Sequence, residues 1–387
     1  MKAGRILLTA GIAAYAAVAA ANGLDRMSRG TPGLERSVPG PFRAQADRSA
    51  ALTQLARQNP SAALEDARAA VASDPIDPDA SALLGAALLQ SGEFDAAAEA
   101  FRIAARFGWR NLATQGYWYE AALDAGDYEV AADRADAILR AHPRFAEGAE
   151  LLRPMEEHPT GRAVLAERLA RGPGWLEPYL TPAPDAPAET IARRYGVLSL
   201  VDPARRRFGC VAVAPFVAAL VEQVRRSDAQ SLWNAHCPEH PVTGHLADPG
   251  FDHVLTTAGA NFPLSWKLLP SGDVSIQTVE DRRDRSLRVA NSASSSRMIM
   301  RQLTAFPPGR YRVRARSADK AAASGPRLLI SWACGEQMRF PGRVEGDVLA
   351  EGQLLEVLPC NRQQLGVWLR GNETGLTISH IEFEKLR

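Results

Sequence analysis

The residues best suited to metal chemistry lie in the segment HCPEHPVTGH. The potential ligands of this group are His236, Cys237, His240, His245 and, a little further on, His253. Zinc requires three or four such ligands in tetrahedral arrangement. Pro238 and Pro241 impose an extended path, so His236 and His240 would not share one helical face. We therefore interpret the segment as a proline-rich connection with incidental histidines, and predict no metal and no cofactor.

Motifs that carry catalysis are absent from the sequence. It contains no nucleophile elbow, phosphate-binding loop, dinucleotide fingerprint or zinc-hydrolase helix. The carboxylate pair of a glycoside hydrolase is defined by a separation that only the fold sets. We therefore predict a protein that is not an enzyme, with a polysaccharide-modifying enzyme as an alternative.

The four cysteines all lie in the C-terminal part of the chain. The natural pairing joins Cys210 to Cys237 and Cys334 to Cys360, although four cysteines allow three connectivities. An oxidising compartment would permit both disulfides. The alternative is four buried free thiols.

The N-terminus has the pattern of an export signal. Lys2 and Arg5 precede an uncharged run at residues 6–24, in which the small residues AVAAA are followed by Asn22. This pattern is typical of a cleavable signal peptide, and the run is also just long enough to anchor the chain in an inner membrane. Both interpretations place the remaining residues in the periplasm of a bacterial cell envelope. Residues 25–44 are rich in glycine and proline and are predicted to be a linker.

Length and charge limit the classes of function. A chain of 387 residues is long enough for two or three domains with separate cores. The formal net charge of +1 gives no reason to expect nucleic acid or an anionic membrane surface as a partner. Alanine dominates the first half and becomes rarer in the second, which predicts two different architectures.

A repeat of 34 residues organises the alanine-rich part. The stretch QSGEFDAAAEAF at residues 90–101 aligns without gaps with DAGDYEVAADRA at residues 124–135. Extending the period predicts three helical hairpins at residues 44–77, 78–111 and 112–145. Small residues at the helix contacts, namely Ala63, Ala97, Ala131 and Gly85, would allow the helices to pack closely, and larger residues such as Phe94 and Phe101 would fill the remaining space.

These features resemble the tetratricopeptide repeat. The first unit has Pro60 where the others have Phe94 and Tyr128, and Trp109 stands where the family has a proline. The resemblance implies a curved solenoid that binds a partner protein in its groove. Within the run of aromatic residues on the third unit, Trp118 is predicted to be core, which leaves Tyr117 and Glu120 as candidate groove residues.

The regions that follow the repeats change in character. Residues 45–180 are predicted to hold the repeats and a helical cap, and residues 181–247 a proline-rich linker with one additional helical hairpin. From residue 248 the apolar pattern has a period of two, and nine short segments predict an antiparallel β-sandwich at residues 248–387. One of these strands alternates Arg310, Arg312, Arg314 and Arg316 with apolar residues, which indicates a solvated face or a site for an anionic polymer.

The last region resembles the jelly rolls of carbohydrate-binding modules. The residues that carry this resemblance are Phe251, Asp252, Trp266, Pro308, Gly309, Tyr311 and Phe383. Sugar binding would need exposed aromatic faces, and the candidates are Trp266, Trp368 and, beside the second pair of cysteines, Trp332. All three lie in apolar strands, where burial is the usual role. We retain Trp266 and Trp368 as candidate glycan-binding residues.

Together these features predict an α-solenoid of tetratricopeptide-like hairpins followed by a β-sandwich of jelly-roll type. The arrangement resembles exported proteins of bacterial exopolysaccharide systems. The resemblance implies a scaffold or assembly factor that binds an envelope protein through its repeats, with a polysaccharide as a second candidate partner. Contact with the membrane is expected only through the N-terminal segment, if that segment is not cleaved. A glycan-binding protein is the alternative.

Overall fold

A computed structural model shows two compact units, Met1–Phe145 and Ala146–Arg387. The structure describes residues 2–31, 33–146, 150–223, 225–242, 244–252, 254, 263–281, 284–317, 319, 326–335, 337–341, 344–360 and 363–387. His253, one of the histidines considered as a metal ligand, lies outside these residues. Helices form the N-terminal part of the chain and two antiparallel sheets form the C-terminal part, so the predicted fold class is confirmed.

The first unit is a series of helical hairpins. Its helices are α1 (Lys2–Ser28), α2 (Ala44–Ala56), α3 (Pro60–Ser73), α4 (Pro78–Gln90), α5 (Phe94–Arg106), α6 (Leu112–Asp124) and α7 (Tyr128–Ala141). Helices α2, α4 and α6 begin 34 residues apart, and so do α3, α5 and α7, as the sequence period predicts. The first helices of the hairpins contact one another, since α2 packs against α4 and α4 against α6.

The repeat also appears in the turns within the hairpins. Gln58, Gly92 and Gly126 occupy equivalent positions and all have a positive φ, at 56°, 80° and 72°. Glycine adopts this left-handed conformation without strain, whereas a residue with a side chain does so at a cost. The turn of the first hairpin therefore has the same left-handed conformation as the other two, although it has Gln58 in place of a glycine.

Close packing between helices depends on the small residues. Ala63, Ala97 and Ala131 are fully buried, as predicted. At Gly85 a methyl group would lie 2.8 Å from the ring of Phe101, which is itself buried. Phe94 was predicted to fill the same space but is 69% exposed, because it is the first residue of α5 and precedes the buried face of that helix.

The end of α1 belongs to the first unit. Asp25 is buried, and its carboxylate accepts hydrogen bonds from the backbone N–H groups of Gln45 and Ala46 at the start of α2. A carboxylate at this position satisfies N–H groups that lack a partner within the helix. The predicted linker at residues 25–44 is therefore partly helical and packed. Among the described residues, no helix is long and apolar enough to cross a membrane.

Within the described residues, the second unit begins with six helices. They are α8 (Arg153–Glu157), α9 (Pro159–Ala170), α10 (Leu176–Leu180), α11 (Ala188–Leu198), α12 (Cys210–Glu222) and α13 (Arg226–His236). The helices predicted as a cap on the repeats thus lie in this unit. The region predicted as a proline-rich linker with one additional hairpin contains three of the six, because its apolar residues form buried helix faces.

A buried polar cluster holds the first of these helices together. Glu156 accepts a hydrogen bond from the Tyr179 hydroxyl at 3.0 Å, and the Arg194 guanidinium lies 3.5 Å from the same carboxylate. Burial raises the pKa of Glu156 above its ordinary value, against the lowering effect of Arg194. All three side chains are within the helical core, so we assign them a structural role.

Nine strands form the sandwich within the described residues. They are β1 (Lys267–Leu268), β2 (Val274–Asp281), β3 (Asp284–Asn291), β4 (Arg297–Thr304), β5 (Gly309–Ser317), β6 (Leu328–Cys334), β7 (Gln353–Val357), β8 (Gln363–Leu369) and β9 (Glu373–Lys385). One sheet has the order β1-β4-β8-β6 and the other β2-β3-β9-β5-β7. Each of the nine predicted segments overlaps one of these strands, and alternate residues of both sheets form one apolar core.

The helices of the second unit are joined to the sandwich by side-chain contacts. Arg226 at the start of α13 is buried and donates hydrogen bonds to the carbonyl oxygens of Leu303 on β4 and of His245. Burial lowers the pKa of this guanidinium to about 10. These contacts fix α13, and with it the end of α12, beside the four-stranded sheet.

Candidate functional site

The two predicted groove residues of the first unit have different environments. Tyr117 is half-buried and stacks on the ring of Phe101, with a distance of 4.3 Å between the ring centroids. Glu120 is exposed on α6. Tyr119 is the fully buried aromatic residue of this run, whereas Trp118, predicted to be core, is half-buried. Tyr117 therefore contributes to packing between the second and third hairpins.

The turn between α5 and α6 presents two exposed aromatic residues close together in the chain. Phe107 is 46% exposed and Trp109 is 53% exposed, and Leu112 follows them at the start of α6. The turn is set by Gly108, which has a φ of 122°, and by Asn111, whose side chain accepts a hydrogen bond from the backbone of Thr114. We call residues 106–112 the aromatic turn.

One face of Trp109 is held in place by a cation. The guanidinium carbon of Arg134 on α7 lies 4.1 Å from the centre of the indole ring, and this arginine also donates a hydrogen bond to Gln115. Burial lowers the pKa of Arg134, against the raising effect of Asp133. Stacking of a guanidinium on an indole is favourable and fixes the ring in one orientation. Trp109 remains 53% exposed despite this contact.

Three tryptophans of the sandwich were candidates for sugar binding, and their positions differ. Trp266 is buried in the core beside Phe251, and its indole N–H donates to the carbonyl oxygen of Asp248. This location contradicts a role in glycan binding. Trp368 is half-buried on the outer face of the four-stranded sheet, where Phe340 lies edge-on at 5.4 Å. Trp332 packs partly against a small buried aromatic cluster.

The row of arginines on β5 faces acidic residues on β9. Arg314 forms an ion pair with Glu384 at 3.2 Å, and Arg316 forms one with Glu382 at 3.3 Å. Arg312 lies directly opposite Glu384 in the register of the two strands. Opposite charges across a strand pair neutralise each other. The structure therefore supports the interpretation of this row as a solvated sheet face.

The four cysteines of the second unit are paired in the order in which they occur in the sequence. Disulfides link Cys210 to Cys237 and Cys334 to Cys360. Glu239 lies beside the first of them, and its carboxylate oxygen is 2.9 Å from the sulfur of Cys210. A disulfide sulfur is not a thiolate, and the thiolate is the form that binds metals. In the oxidised protein these cysteines are therefore structural.

The histidines considered as metal ligands have different environments. His236 is buried and stacks on Phe208, with 4.2 Å between the ring centroids. His245 is exposed, and the backbone around His240 is fixed by a hydrogen bond from the Trp233 indole. The segment that follows α13 is thus held against this helix.

A cleft of about 520 Å³ lies between α12 and the outer face of the four-stranded sheet. One wall is helical, and the floor comes from β1, β4 and β8. The residues that line it are Ala218, Val221, Glu222, Pro263, Ser265, Lys267, Arg301, Gln302, Leu303 and Gln364. We call this space the helix–sheet cleft. Its size lies in the range of sites that bind small organic molecules.

The charge of the cleft comes from two strands that are far apart in sequence. Lys267 on β1 lies directly opposite Arg301 on β4 in the register of the sheet. Within the part of the chain that the structure describes, neither side chain forms a hydrogen bond or an ion pair. Glu222 is the acidic residue of the lining. The two cations therefore line the cleft without an ion-pair partner among the residues that the structure describes.

Sequence reasoning missed both of these surfaces. The sequence does contain an indication of the aromatic turn, because Trp109 stands where the repeat family has a proline. Phe107 and Trp109 also lie between two arginines in RFGWR. No sequence pattern indicates that Lys267 and Arg301 are neighbours, because only the pairing of β1 with β4 brings them together.

Comparison with models of known protein families finds no match to this chain. Comparison with curated proteins finds no significant similarity either. The functional argument therefore depends on the geometry of these surfaces.

Proposed function

We propose that this chain is a non-catalytic binding protein that holds a partner protein through its helical hairpins. The observation that carries this proposal is the aromatic turn, where Phe107, Trp109 and Leu112 are exposed together. Large exposed apolar side chains in one place are typical of interaction surfaces. Tryptophan and arginine are also the residues that most often dominate the binding energy of an interface.

The charge around the aromatic turn specifies the chemistry of the partner. Arg106 and Arg110 are exposed beside Phe107 and Trp109, and neither forms an ion pair with the residues described. A segment that combines apolar side chains with aspartate or glutamate would therefore complement the surface. Glu120, on the following helix, would add a position where a basic side chain of the partner binds.

The proposed setting follows from the sequence resemblances. Hairpins with a 34-residue period resemble tetratricopeptide repeats, and the N-terminal pattern is that of an exported protein. We place the protein in the envelope, as a scaffold or assembly factor of exopolysaccharide synthesis or export. The confirmed arrangement of helices followed by a β-sandwich is compatible with this proposal.

The proposal is tested by capture of partners with two variants of the full chain. In the first, Phe107→Ala and Trp109→Ala are combined; in the matched control, Phe340→Ala removes an aromatic residue that is 47% exposed in the sandwich. Proteins retained from envelope membranes are identified by mass spectrometry, and the dissociation constant of the purified partner is then measured.

The first variant should weaken binding of that partner by about 30-fold or more, because truncation of a central aromatic residue costs about 2 kcal/mol or more. The control should bind like the original chain. Equal binding by all three proteins would show that the aromatic turn is not the binding surface. Loss of binding in both variants would also contradict the proposal.

Glycan binding by the sandwich is the second candidate function. One specific observation favours it, since Trp368 and Phe340 lie together on the outer face of the four-stranded sheet. The indole N–H of Trp368 already donates to Ser331 at 2.7 Å, so only the ring face would contact a sugar. A Trp368→Ala variant that loses binding to exopolysaccharide, with partner capture unchanged, would favour this alternative.

A further inference from the structure

We propose that the helix–sheet cleft of the second unit binds a small organic oxyanion, carried as a carboxylate or phosphate group. Lys267 and Arg301 would hold the acidic group, and the apolar wall of α12 would cover the rest of the ligand. This site is separate from the partner-binding surface of the first unit, and the proposal does not depend on that function.

The first argument is the cost of placing two cations opposite each other. Lys267 and Arg301 are cross-strand partners in an antiparallel pair, so their side chains project from the same face of the sheet. Like charges in this position destabilise a sheet. A bound oxyanion between the ammonium and guanidinium groups would convert this repulsion into two charge-assisted contacts.

The second argument is the contrast with the other sheet of the same sandwich. There Arg312 and Arg314 on β5 lie opposite Glu384 and Glu382 on β9. Arg314 and Arg316 form ion pairs with these two glutamates, so acidic residues of the neighbouring strand partly neutralise the row. Lys267 and Arg301 are not neutralised in this way by any residue that the structure describes, and they are the pair that lines a cleft.

The third argument concerns the size and lining of the cleft. A volume of about 520 Å³ is far larger than a bare inorganic ion needs. Ala218 and Val221 on α12 and Leu303 on β4 provide apolar surface close to the charged pair. An organic ligand with an acidic group at one end matches this arrangement better than a free ion does.

The remaining polar groups constrain how the ligand binds. The Gln302 amide is occupied at both ends by the backbone of Ala247, so it helps to shape the floor. Gln364 donates to the carbonyl oxygen of Gly335, which leaves its amide oxygen to accept a hydrogen bond. Glu222 is also an acceptor. The ligand should therefore carry hydroxyl groups besides its acidic group.

Titration calorimetry of the full chain with defined probes tests the proposal. The acidic probes are trigalacturonic acid, glucose 1-phosphate, acetate and inorganic phosphate, and the neutral probe is maltotriose. We expect saturable binding of at least one organic acid with a dissociation constant below about 1 mM, weakened by salt. Comparison of the carboxylate with the phosphate ester identifies the preferred group, and acetate and phosphate show how much the organic part contributes.

Variants of the lining connect binding to the cleft. Arg301→Gln and Lys267→Gln should each weaken binding of the best probe by about tenfold or more, with Arg301→Lys in between. Glu222→Gln should strengthen binding several-fold, because it removes the negative charge of the lining. Arg297→Gln is the matched control, since Arg297 is on the same strand outside the cleft and pairs with Asp273.

The outcomes separate clearly. No saturable binding of any acidic probe, equal binding of maltotriose, or an equal loss in Arg297→Gln would each overturn the proposal. A gain in affinity with Glu222→Gln together with a loss in Arg301→Gln supports it, because general damage to the fold would not change the two affinities in opposite directions. Circular dichroism checks that each variant retains the folded structure.

Discussion

His236 shows how the environment of one residue determines its chemistry. Its side chain is 1% exposed, it stacks on Phe208, and the next residue is tied by the disulfide to Cys210. Burial lowers the pKa of this imidazole from 6.5 to about 4. A charged imidazole would lose its hydration here, so the neutral form is the one compatible with the fold.

This pKa predicts a loss of stability in mild acid. Between pH 6.5 and about 4 the unfolded chain binds a proton at His236 that the folded chain does not. The free energy of unfolding should therefore decrease as the pH falls through this range, by about 3 kcal/mol in total. Urea unfolding at several pH values, compared between the original chain and His236→Phe, measures this contribution.

The comparison isolates one imidazole because other titrating groups contribute equally to both proteins. His236→Phe keeps an aromatic ring against Phe208 and should flatten the pH dependence. His245→Gln, at an exposed histidine, is the control for replacing an imidazole elsewhere in the chain. The same slope in the original chain and in His236→Phe would refute the assignment.

At the scale of residues, the sequence predicts the character of a strand face better than the location of an individual side chain. The alternation of β5 correctly indicated a solvated face, because strand period alone determines which side chains share a side. The same reasoning did not distinguish Trp266 from Trp368. One points into the core and the other lies on the outer face, and the difference depends on how β1 and β8 are placed in the sheet.

Among the elements, α4 and α5 show why the hairpins need small residues. Gly85 allows the ring of Phe101 to lie against the backbone of α4. A methyl group at this position would lie 2.8, 2.8 and 2.9 Å from three atoms of the ring. Gly116 lies within α6, three residues before the position equivalent to Gly85, and has open space around it. The two glycines therefore provide a matched pair of substitutions on equivalent helices.

We expect Gly85→Ala to destabilise the first unit by about 1–3 kcal/mol, because a crowded core responds with strained side chains and backbone shifts. Gly116→Ala should stabilise it by up to about 1 kcal/mol, since alanine favours helix more than glycine does. Urea unfolding followed by circular dichroism measures both changes. Equal effects of the two substitutions would contradict the packing argument.

Element boundaries in the hairpins were predictable because every repeat unit imposes the same contacts. The starts of α2, α4 and α6 coincide with the predicted starts of the three units. The apolar stretch at residues 211–233, where the sequence indicated one additional hairpin, forms the two helices α12 and α13. The cleft depended on non-local pairing of β1 with β4, which no local pattern encodes.

On the scale of the whole molecule, the distribution of cysteines distinguishes the two compact units. Both disulfides lie in Ala146–Arg387, and Met1–Phe145 contains no cysteine. The bridges close segments with sequence separations of 27 and 26 residues. The first unit instead depends on regular helix packing, in which each hairpin contacts its neighbours.

Reduction should therefore destabilise one unit and leave the other unchanged. Each disulfide is expected to contribute about 3–4 kcal/mol, because it restricts the unfolded chain over a loop of this length. Calorimetry of the full chain with and without dithiothreitol measures the effect, and Gly85→Ala identifies which transition belongs to the first unit. We expect dithiothreitol to lower only the transition that Gly85→Ala does not move. A single transition that responds to both changes would show that the two units unfold together, because stability would then be shared between the helical hairpins and the disulfide-linked unit.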